Sequence, residues 1–259
     1  MGTVNLLLKN SKFGKYFSVT YANNDELIQH CQRLRYQIYC LEMGHAHEMQ
    51  HTDKREYDEF DPRAVHALVQ HNATGSYIAT VRLVLYDRNS PSSHFPVEEL
   101  EILRRKDRDI VWQVPRYRIA EVSRFAVSKM FRRRVGERNT IHGICENFVT
   151  NYTEQDQRHY SEITINLIKA AFDLSYVHGI THWYALMEPS LIRLLARIGM
   201  VFTPVGPLVD YFGKRQPCIA KVQDLMDGIL QERTDIWSYM SHGGRVRFDS
   251  IEAKYEIAI

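Results

Sequence analysis

The sequence predicts an α/β fold of the α+β type: a mixed, mostly antiparallel sheet flanked by helices. Three observations lead there. Strand-like and helix-periodic segments follow one another in the order β-α-β-β-β-α-β-α-β-β between residues 16 and 222. Two of the strand-like runs, AVHALVQHN (64–72) and SYIATVRLVLYD (76–87), are separated only by Ala-Thr-Gly, the pattern of an antiparallel hairpin around Gly75. No strand is followed by GxGxxG and GxxxxGK[ST] is absent, so the usual dinucleotide and nucleotide loops are missing and hydride transfer and kinase chemistry have little support.

The elements follow in order. YFSVTYAN (16–23) reads as a strand. The next segment, NNDELIQHCQRLRYQIYCLEMG, reads as a helix opened by an Asn/Asp cap and closed near Gly44, with Leu27, Cys31, Leu34, Ile38 and Leu41 at helical spacing. A polar loop rich in His and acid leads into the hairpin, and IAEVSRFAVS (119–128) is the fourth strand. Before it lies a long connector, PSSHFPVEELEI and RRKDRDIVWQVPRYR; after it come a basic run and the polar stretch ERNTIHGICENFVTNYTEQDQRHYSE. Connectors of this length in a compact domain are usually functional or mobile. ITINLIKAAFDLSYVHG is a helix ending at Gly179, ITHWYALM a buried strand, and EPSLIRLLARIGM a short helix that tolerates Pro189 in its first turn. Residues 201–222 supply two more strands around GKRQP, and DLMDGILQERTDIWSYM makes one C-terminal helix. The expected organisation is a single domain over residues 1–259, with its core at about 16–222 and a helical extension at 223–259.

With 44% hydrophobic and 25% charged residues the composition is that of an ordinary globular chain, which argues against disorder and fibres. A formal charge of +2 is too small to imply nucleic acid, although RRKDR (104–108) and FRRR (131–134) concentrate positive charge locally. Cys31, Cys40, Cys145 and Cys218 form no CxxC pair and no zinc-ligand spacing, so no disulfide framework or metal finger is indicated and a reducing cytoplasm fits. The run VNLLL is far shorter than a signal-peptide core, no stretch approaches a membrane span, and Leu6 breaks the myristoylation pattern.

In a regular strand over 119–128, Glu121 and Arg124 would point to opposite faces, and each charge inside an apolar strand needs a partner. They belong to a larger set: R35YQIY39 on the first helix, E56YDEFD61 in the following loop, Arg82 in the third strand and E121VSR124F in the fourth. Each piece alone is weak, because an RxxxY pair, a solvated acidic run and an edge-strand Arg are all common. Taken in this order, the combination RxxxY, DxxD, Arg and ExxRF resembles the acyl-homoserine-lactone synthases, the long-chain N-acyl amino acid synthases and the PEP-CTERM/exosortase-system-associated acyltransferases, all of the GNAT-like N-acyltransferase fold. The resemblance covers most of residues 16–222, and MEPSLIRLLARIGMVFTPVGPLVDYFGKRQP (187–217) is similar especially to the latter two branches.

The resemblance implies a fourth strand broken by a β-bulge, so that residues three apart share a face and freed backbone N–H groups are placed as an oxyanion hole. Glu121 would be the catalytic base, its pKa raised by partial burial from about 4.3 toward neutrality. Arg35, Asp58, Asp61, Arg82 and Arg124 would line the acceptor site, with Arg35 and Arg124 committed to Asp58 and Asp61 and Arg82 reading the carboxylate of an amino acid. The plainer reading makes the same five residues a charge network tying the first helix to the sheet. Where the lactone synthases carry a Trp, this chain has Gly44, His45 and Ala46, which argues against S-adenosylmethionine. R133RVGER138 begins as the GNAT pyrophosphate turn does but ends in Arg138, so the expected donor is an acyl-carrier-protein thioester, met by a basic rim of Arg132, Arg133, Arg134 and Arg138, ahead of acyl-CoA.

No metal or tightly bound cofactor is expected: HAHEMQH (45–51) has nothing to orient its His residues, and Cys145 beside His142 lacks an ordered base. The expected activity is cytoplasmic N-acylation of an amino acid or similar small amine. The rivals are a lactone synthase and a catalytically silent module that holds acyl-carrier protein or a lipid.

Overall fold

Asn24 starts the first helix as its cap, its side-chain oxygen accepting from the Leu27 N–H at 2.9 Å. Asp25 and Glu26 occupy the first turn, where the positive end of the helix dipole favours them, and Arg33 and Arg35 the last. The computed structural model describes residues 14–44, 52–90, 92–101, 111–129 and 154–249, the side chains of 154–160 excepted. Along these the elements are β1 (Phe17–Tyr21), α1 (Asp25–Tyr36), β2 (Ala64–His71), β3 (Tyr77–Leu85), β4 (Ile119–Val127), α2 (Glu154–His178), β5 (His182–Met187), α3 (Pro189–Ala196), β6 (Thr203–Pro204), β7 (Val209–Asp210), β8 (Lys214–Lys221), α4 (Val222–Glu232) and α5 (Thr234–Met240). The strands form a mixed sheet in the order β1-β2-β3-β4-β5-β8-β6, with β7 paired to β8. The expected α/β class and sheet are therefore present.

Three local departures from the sequence reading are present. The first helix does not stay α to its end: Gln37–Glu42 is π-helical, the wider turn that tends to appear at functional sites. The single C-terminal helix expected over 224–240 is two, broken at Arg233. Its backbone (φ −146°, ψ 76°) leaves helical space, and apolar periodicity does not report such a break. Residues 201–222 hold one long strand, β8, with the two-residue strands β6 and β7 beside it.

Inter-residue contacts divide the chain into two compact units, interleaved in sequence. The first comprises the chain up to Glu59 with His66–Arg82 and Arg124–Ala171; the second comprises Phe60–Val65, Leu83–Ser123 and the chain from Phe172 onward. In the first, β1 pairs antiparallel with β2 from Phe17↔His71 to Tyr21↔Ala67. Its core gathers Cys31, Leu34 and Ile38 of the first helix with Leu68 and Ala126, which is why the helical stripe read from the sequence is apolar. Gly75 (φ +68°) turns the hairpin, its N–H and that of Thr74 donating to the His71 carbonyl.

In the second unit β4 pairs parallel with β5 through Ile119↔His182, Ala120↔Trp183 and Glu121↔Tyr184. Parallel neighbours need a crossover, and α2 supplies it. β5 then pairs antiparallel with β8 from His182↔Lys221 to Met187↔Gln216. Phe60, Val84, Phe95, Val97, Val111, Ile119, Tyr184, Val205 and Ile219 make the core.

Gly199 (φ +88°), just past α3, and Gly228, inside α4, meet backbone to backbone: a Cβ on Gly199 would fall 2.1 Å from the Gly228 carbonyl oxygen, and one on Gly228 2.0 Å from that of Gly199. Gly228→Ala is expected to destabilise the protein by about 3 kcal/mol, the upper range of overpacking, read as a large fall in thermal midpoint. Gly75→Ala, where a Cβ meets only open space and the end of Gln70, should cost about 1 kcal/mol for its left-handed φ.

Candidate functional site

The expected bulge has its counterpart in β4. Arg124 has φ 50°, a left-handed backbone in the middle of a strand, and such a residue breaks the period-two alternation as a bulge does. Around its side chain the first unit assembles a largely buried charge cluster. Arg124 donates to Glu56 Oε1 from Nε at 2.9 Å and from Nη2 at 2.7 Å, and Nη2 also reaches Asp58 Oδ2 at 2.9 Å. Arg82 Nη1 holds Asp58 Oδ1 at 2.6 Å. Arg35 Nε lies 2.5 Å from Glu56 Oε2 while its Nη2 donates to the Glu56 carbonyl at 2.5 Å. The Arg124 guanidinium also lies over the ring of Tyr39, 5.6 Å from its centre.

This pairing corrects the expected division of labour. Arg35 was expected on Asp58 or Asp61 and instead takes Glu56. Arg82, expected to be left for a ligand, is fully buried and bound to Asp58. A side chain with no exposed surface behind a carboxylate is poorly placed to read an incoming one. Only Arg124 of the three guanidiniums reaches solvent, with 28% of its side chain exposed against 0% for Arg35 and Arg82. Asp61 falls in the second unit as the first residue of the turn Asp61–Arg63. Glu56 is not among the expected site residues although it opens the acidic run, two residues before Asp58.

Electrostatics follow from burial and charge count. Burial alone would raise the Glu56 carboxyl, but Arg124 and Arg35 bring it down from 4.5 to about 2. Burial also opposes the charge on Asp58, and Arg82, then Arg124 and Arg35, hold it well below the usual carboxylate range. Arg124 is raised despite burial by Glu56 and Asp58, whereas burial, with its neighbours Arg124 and Arg35, lowers Arg82. Burial likewise raises the Tyr39 phenol, against the pull of Arg124. Three guanidiniums thus face two ionised carboxylates, leaving an excess positive charge that suits an anionic group.

Glu121 lies in the second unit, 4% exposed, and its Oε2 accepts the Val97 N–H at 2.8 Å. Val97 belongs to the short turn Pro96–Leu100, which is itself clamped: Glu98 Oε2 accepts the Phe95 N–H at 2.8 Å. Arg116 forks onto Glu98 at 2.7 and 2.5 Å and lies over the Phe95 ring at 4.7 Å. Residues 95–98 and Arg116, ahead of β4, therefore hold its acid. Nothing in residue spacing pointed to Glu98 and Arg116, because they meet across 18 residues of sequence.

Other candidates contribute less. Cys31, Cys40 and Cys218 are buried, and burial pushes the Cys218 thiol up to about 12, so it is a poor nucleophile. Among the described residues no group of three or more His, Cys, Asp or Glu is placed to hold a metal ion, and no helix is long and apolar enough to cross a membrane. Arg132, Arg133, Arg134 and Arg138, the loop His45–His51 and Cys145 lie outside the described residues.

Residues 34–141 match the model of the acetyltransferase (GNAT) domain. No curated protein matches the chain. Among solved structures, TofI in a ternary complex with an inhibitor and MTA is similar with a TM-score of 0.54 at 16% identity, over 83% of this chain and 96% of that one. BjaI, a CoA-dependent acyl-homoserine lactone synthase, with MTA, scores 0.53 at 18% identity over 88% and 89%. FeeM, an N-acyl amino acid synthase from uncultured soil microbes, scores 0.52 at 10% identity over 84% and 96%. At these identities the likeness is one of fold, and the fold is that of the GNAT acyltransferases.

The depressed carboxyl of Glu56 sets a pH dependence. A folded-state pKa below the unfolded one contributes stability that is complete above 4.5 and is lost as pH falls toward about 2; the shift corresponds to about 3 kcal/mol. Glu56→Gln should flatten the acid limb of thermal stability in that window. It should also lower stability at neutral pH by about 3 kcal/mol, since Arg35 and Arg124 lose their shared counter-charge. Differential scanning calorimetry across pH measures both effects.

Proposed function

We propose that this chain, an acyltransferase of the GNAT fold, moves a fatty-acyl group from a thioester donor to the amine of an amino acid and releases an N-acyl amino acid. The observation that carries the reading is Glu121: a carboxylate buried in β4 and oriented by the Val97 N–H, on a strand that the left-handed Arg124 interrupts three residues later. A carboxylate buried in the sheet and oriented by a backbone N–H is suited to accept a proton, and a binding module would have no use for it.

In the proposed reaction the acceptor amine attacks the thioester carbonyl, and backbone N–H groups at the interrupted stretch of β4 stabilise the oxyanion. The C–S bond breaks as the amide C–N bond forms. Glu121 takes the amine proton, directly or through water, and the thiolate leaves with little acid assistance, since a thiol pKa is about 8.5. Arg124, the guanidinium that reaches solvent, binds the acceptor carboxylate, while Arg35 and Arg82 hold Glu56 and Asp58 behind it. The cluster's excess positive charge supports an anionic acceptor. The donor is an acyl-carrier-protein or CoA thioester; the basic run Arg132–Arg134 with Arg138 supports an acidic carrier. CoA remains in the assay because BjaI is described as CoA-dependent.

The likeness to TofI and BjaI, with scores close to that of FeeM, favours one second reading, lactone synthesis with S-adenosylmethionine as acceptor. Mass spectrometry of products formed from acyl-carrier-protein or acyl-CoA, with amino acids or S-adenosylmethionine, separates the two. Amide products of amino acids support the proposal, and an acyl-homoserine lactone replaces it. In the same assay Glu121→Gln, which keeps shape and hydrogen-bond reach, should fold and lose turnover by at least about 100-fold; unaltered turnover would remove Glu121 from the base role.

Arg124→Lys should raise the acceptor KM about tenfold and leave the donor KM nearly unchanged, because Lys keeps the charge and loses the planar fork. A parallel rise in both constants, or full activity on an esterified amino acid, would show that Arg124 does not read the carboxylate.

A further inference from the structure

The β7–β8 hairpin holds none of the groups used above, yet its tip is unusual. Tyr211, Phe212 and Gly213 connect Asp210 to Lys214, which face each other across the two strands. Tyr211 and Phe212 are 44% and 48% exposed, and Leu208 just before them is 51% exposed. The two rings pack edge to face with centroids 5.0 Å apart. Phe212 has φ 50° and Gly213 φ 98°. A left-handed backbone suits Gly or Asn and is strained for a bulky aromatic.

The strain is held from inside the unit. Arg215, only 6% exposed, donates from Nη2 to the Phe212 carbonyl at 2.9 Å and from Nη1 to the Lys214 carbonyl at 3.1 Å. Its Nη2 also lies 3.2 Å from Glu188 Oε1, in a pair whose side chains are each 7% exposed. A buried ion pair is thus committed to keeping an exposed aromatic tip in a conformation that its own residue resists. Strain maintained in this way is a mark of a functional position.

We propose that this tip is a membrane-docking element that inserts Leu208, Tyr211 and Phe212 into the interfacial region of a lipid bilayer. Its size points to lipid. Three such side chains, each about half exposed, offer roughly 300 Å² of contact, or roughly 600 Å² counted over both partners, short of the roughly 1,000 Å² total that a stable protein interface needs, whereas a bilayer requires no matched surface. The chemistry agrees, since Phe and Leu suit the acyl boundary and the Tyr hydroxyl the headgroup level. Lys214 is matched by Asp210 at 3.3 Å, so the tip is neutral and engages a zwitterionic surface by apolar insertion. The inference stands on the hairpin alone and is independent of the acyl-transfer reading.

The test is cosedimentation of the full chain with large phosphatidylcholine vesicles, with and without added phosphatidylglycerol, at low and high salt. The wild-type chain should bind both vesicle types with little salt dependence. Phe212→Asn, which the left-handed turn accepts, should match or exceed wild-type thermal stability and lower the partition coefficient about tenfold. Val177→Gln, at a 72% exposed apolar position on α2, should leave partition unchanged. The proposal is overturned by a wild-type chain that stays in the supernatant or by Phe212→Asn binding as wild type does. Binding that requires phosphatidylglycerol and disappears in salt also overturns it, assigning the attraction to the basic stretches instead.

Discussion

Three guanidiniums sharing two carboxylates in a largely buried cluster is the constraint around which the first unit is arranged. Removing charges from water is expensive, and mutual attraction offsets that only when geometry is good and the remaining donors are used. The cluster meets the condition by using the acids twice over. Glu56 takes Arg124 on one oxygen and Arg35 on the other, and Asp58 takes Arg82 and Arg124 in the same manner. Arg124 is the member common to both carboxylates, so its place in β4 determines where the loop 52–59 lies. Its left-handed backbone is the local consequence: a regular strand would carry the guanidinium by strict alternation, and the cluster requires it where alternation does not put it.

How much of this is legible in sequence depends on the range of the interactions concerned. The Asn24 cap, the Gly75 turn and Pro189 at the start of α3 act within a few residues, and each is where the local pattern puts it. The break at Arg233 and the π-helical stretch Gln37–Glu42 lie where the local pattern gives no signal of them. The same distinction applies to the site. The order RxxxY, acidic run, Arg, ExxRF identifies the participants, because charges in apolar segments must find partners. It does not say which acid each cation takes, since that depends on register between elements up to 68 residues apart. The pairing of Arg35 with Glu56 and the burial of Arg82 against Asp58 are details of that kind.

The long connector before β4 has a structural role that its composition hides. Its polar and basic residues read as a loop, yet Pro96 begins a tight turn, Glu98 caps it and Arg116 locks Glu98 from the far end of the same connector. The result is one backbone N–H, that of Val97, aimed at Glu121. A carboxylate buried in a sheet has two oxygens to satisfy, and a fixed backbone donor on one of them sets the orientation of the other. The orientation of Glu121 therefore depends on Glu98 and Arg116, neither of which carries chemistry of its own.

Arg124 and Phe212 share a physical logic. Both are bulky residues with φ 50°, where L side chains are disfavoured, and at both an ion pair supplies what the backbone lacks. Glu56 and Asp58 hold the Arg124 side chain, and Arg215, anchored by Glu188, holds the Phe212 carbonyl. The two differ in what the strain presents. At Arg124 a partly exposed cation sits beside the partly exposed Asp58 in front of the buried Arg35 and Arg82, and at Phe212 an apolar ring is turned to the surface. Glycine or asparagine would relieve either turn and would remove the group presented. The side chain, and not the turn, is therefore what the bracing preserves at both positions.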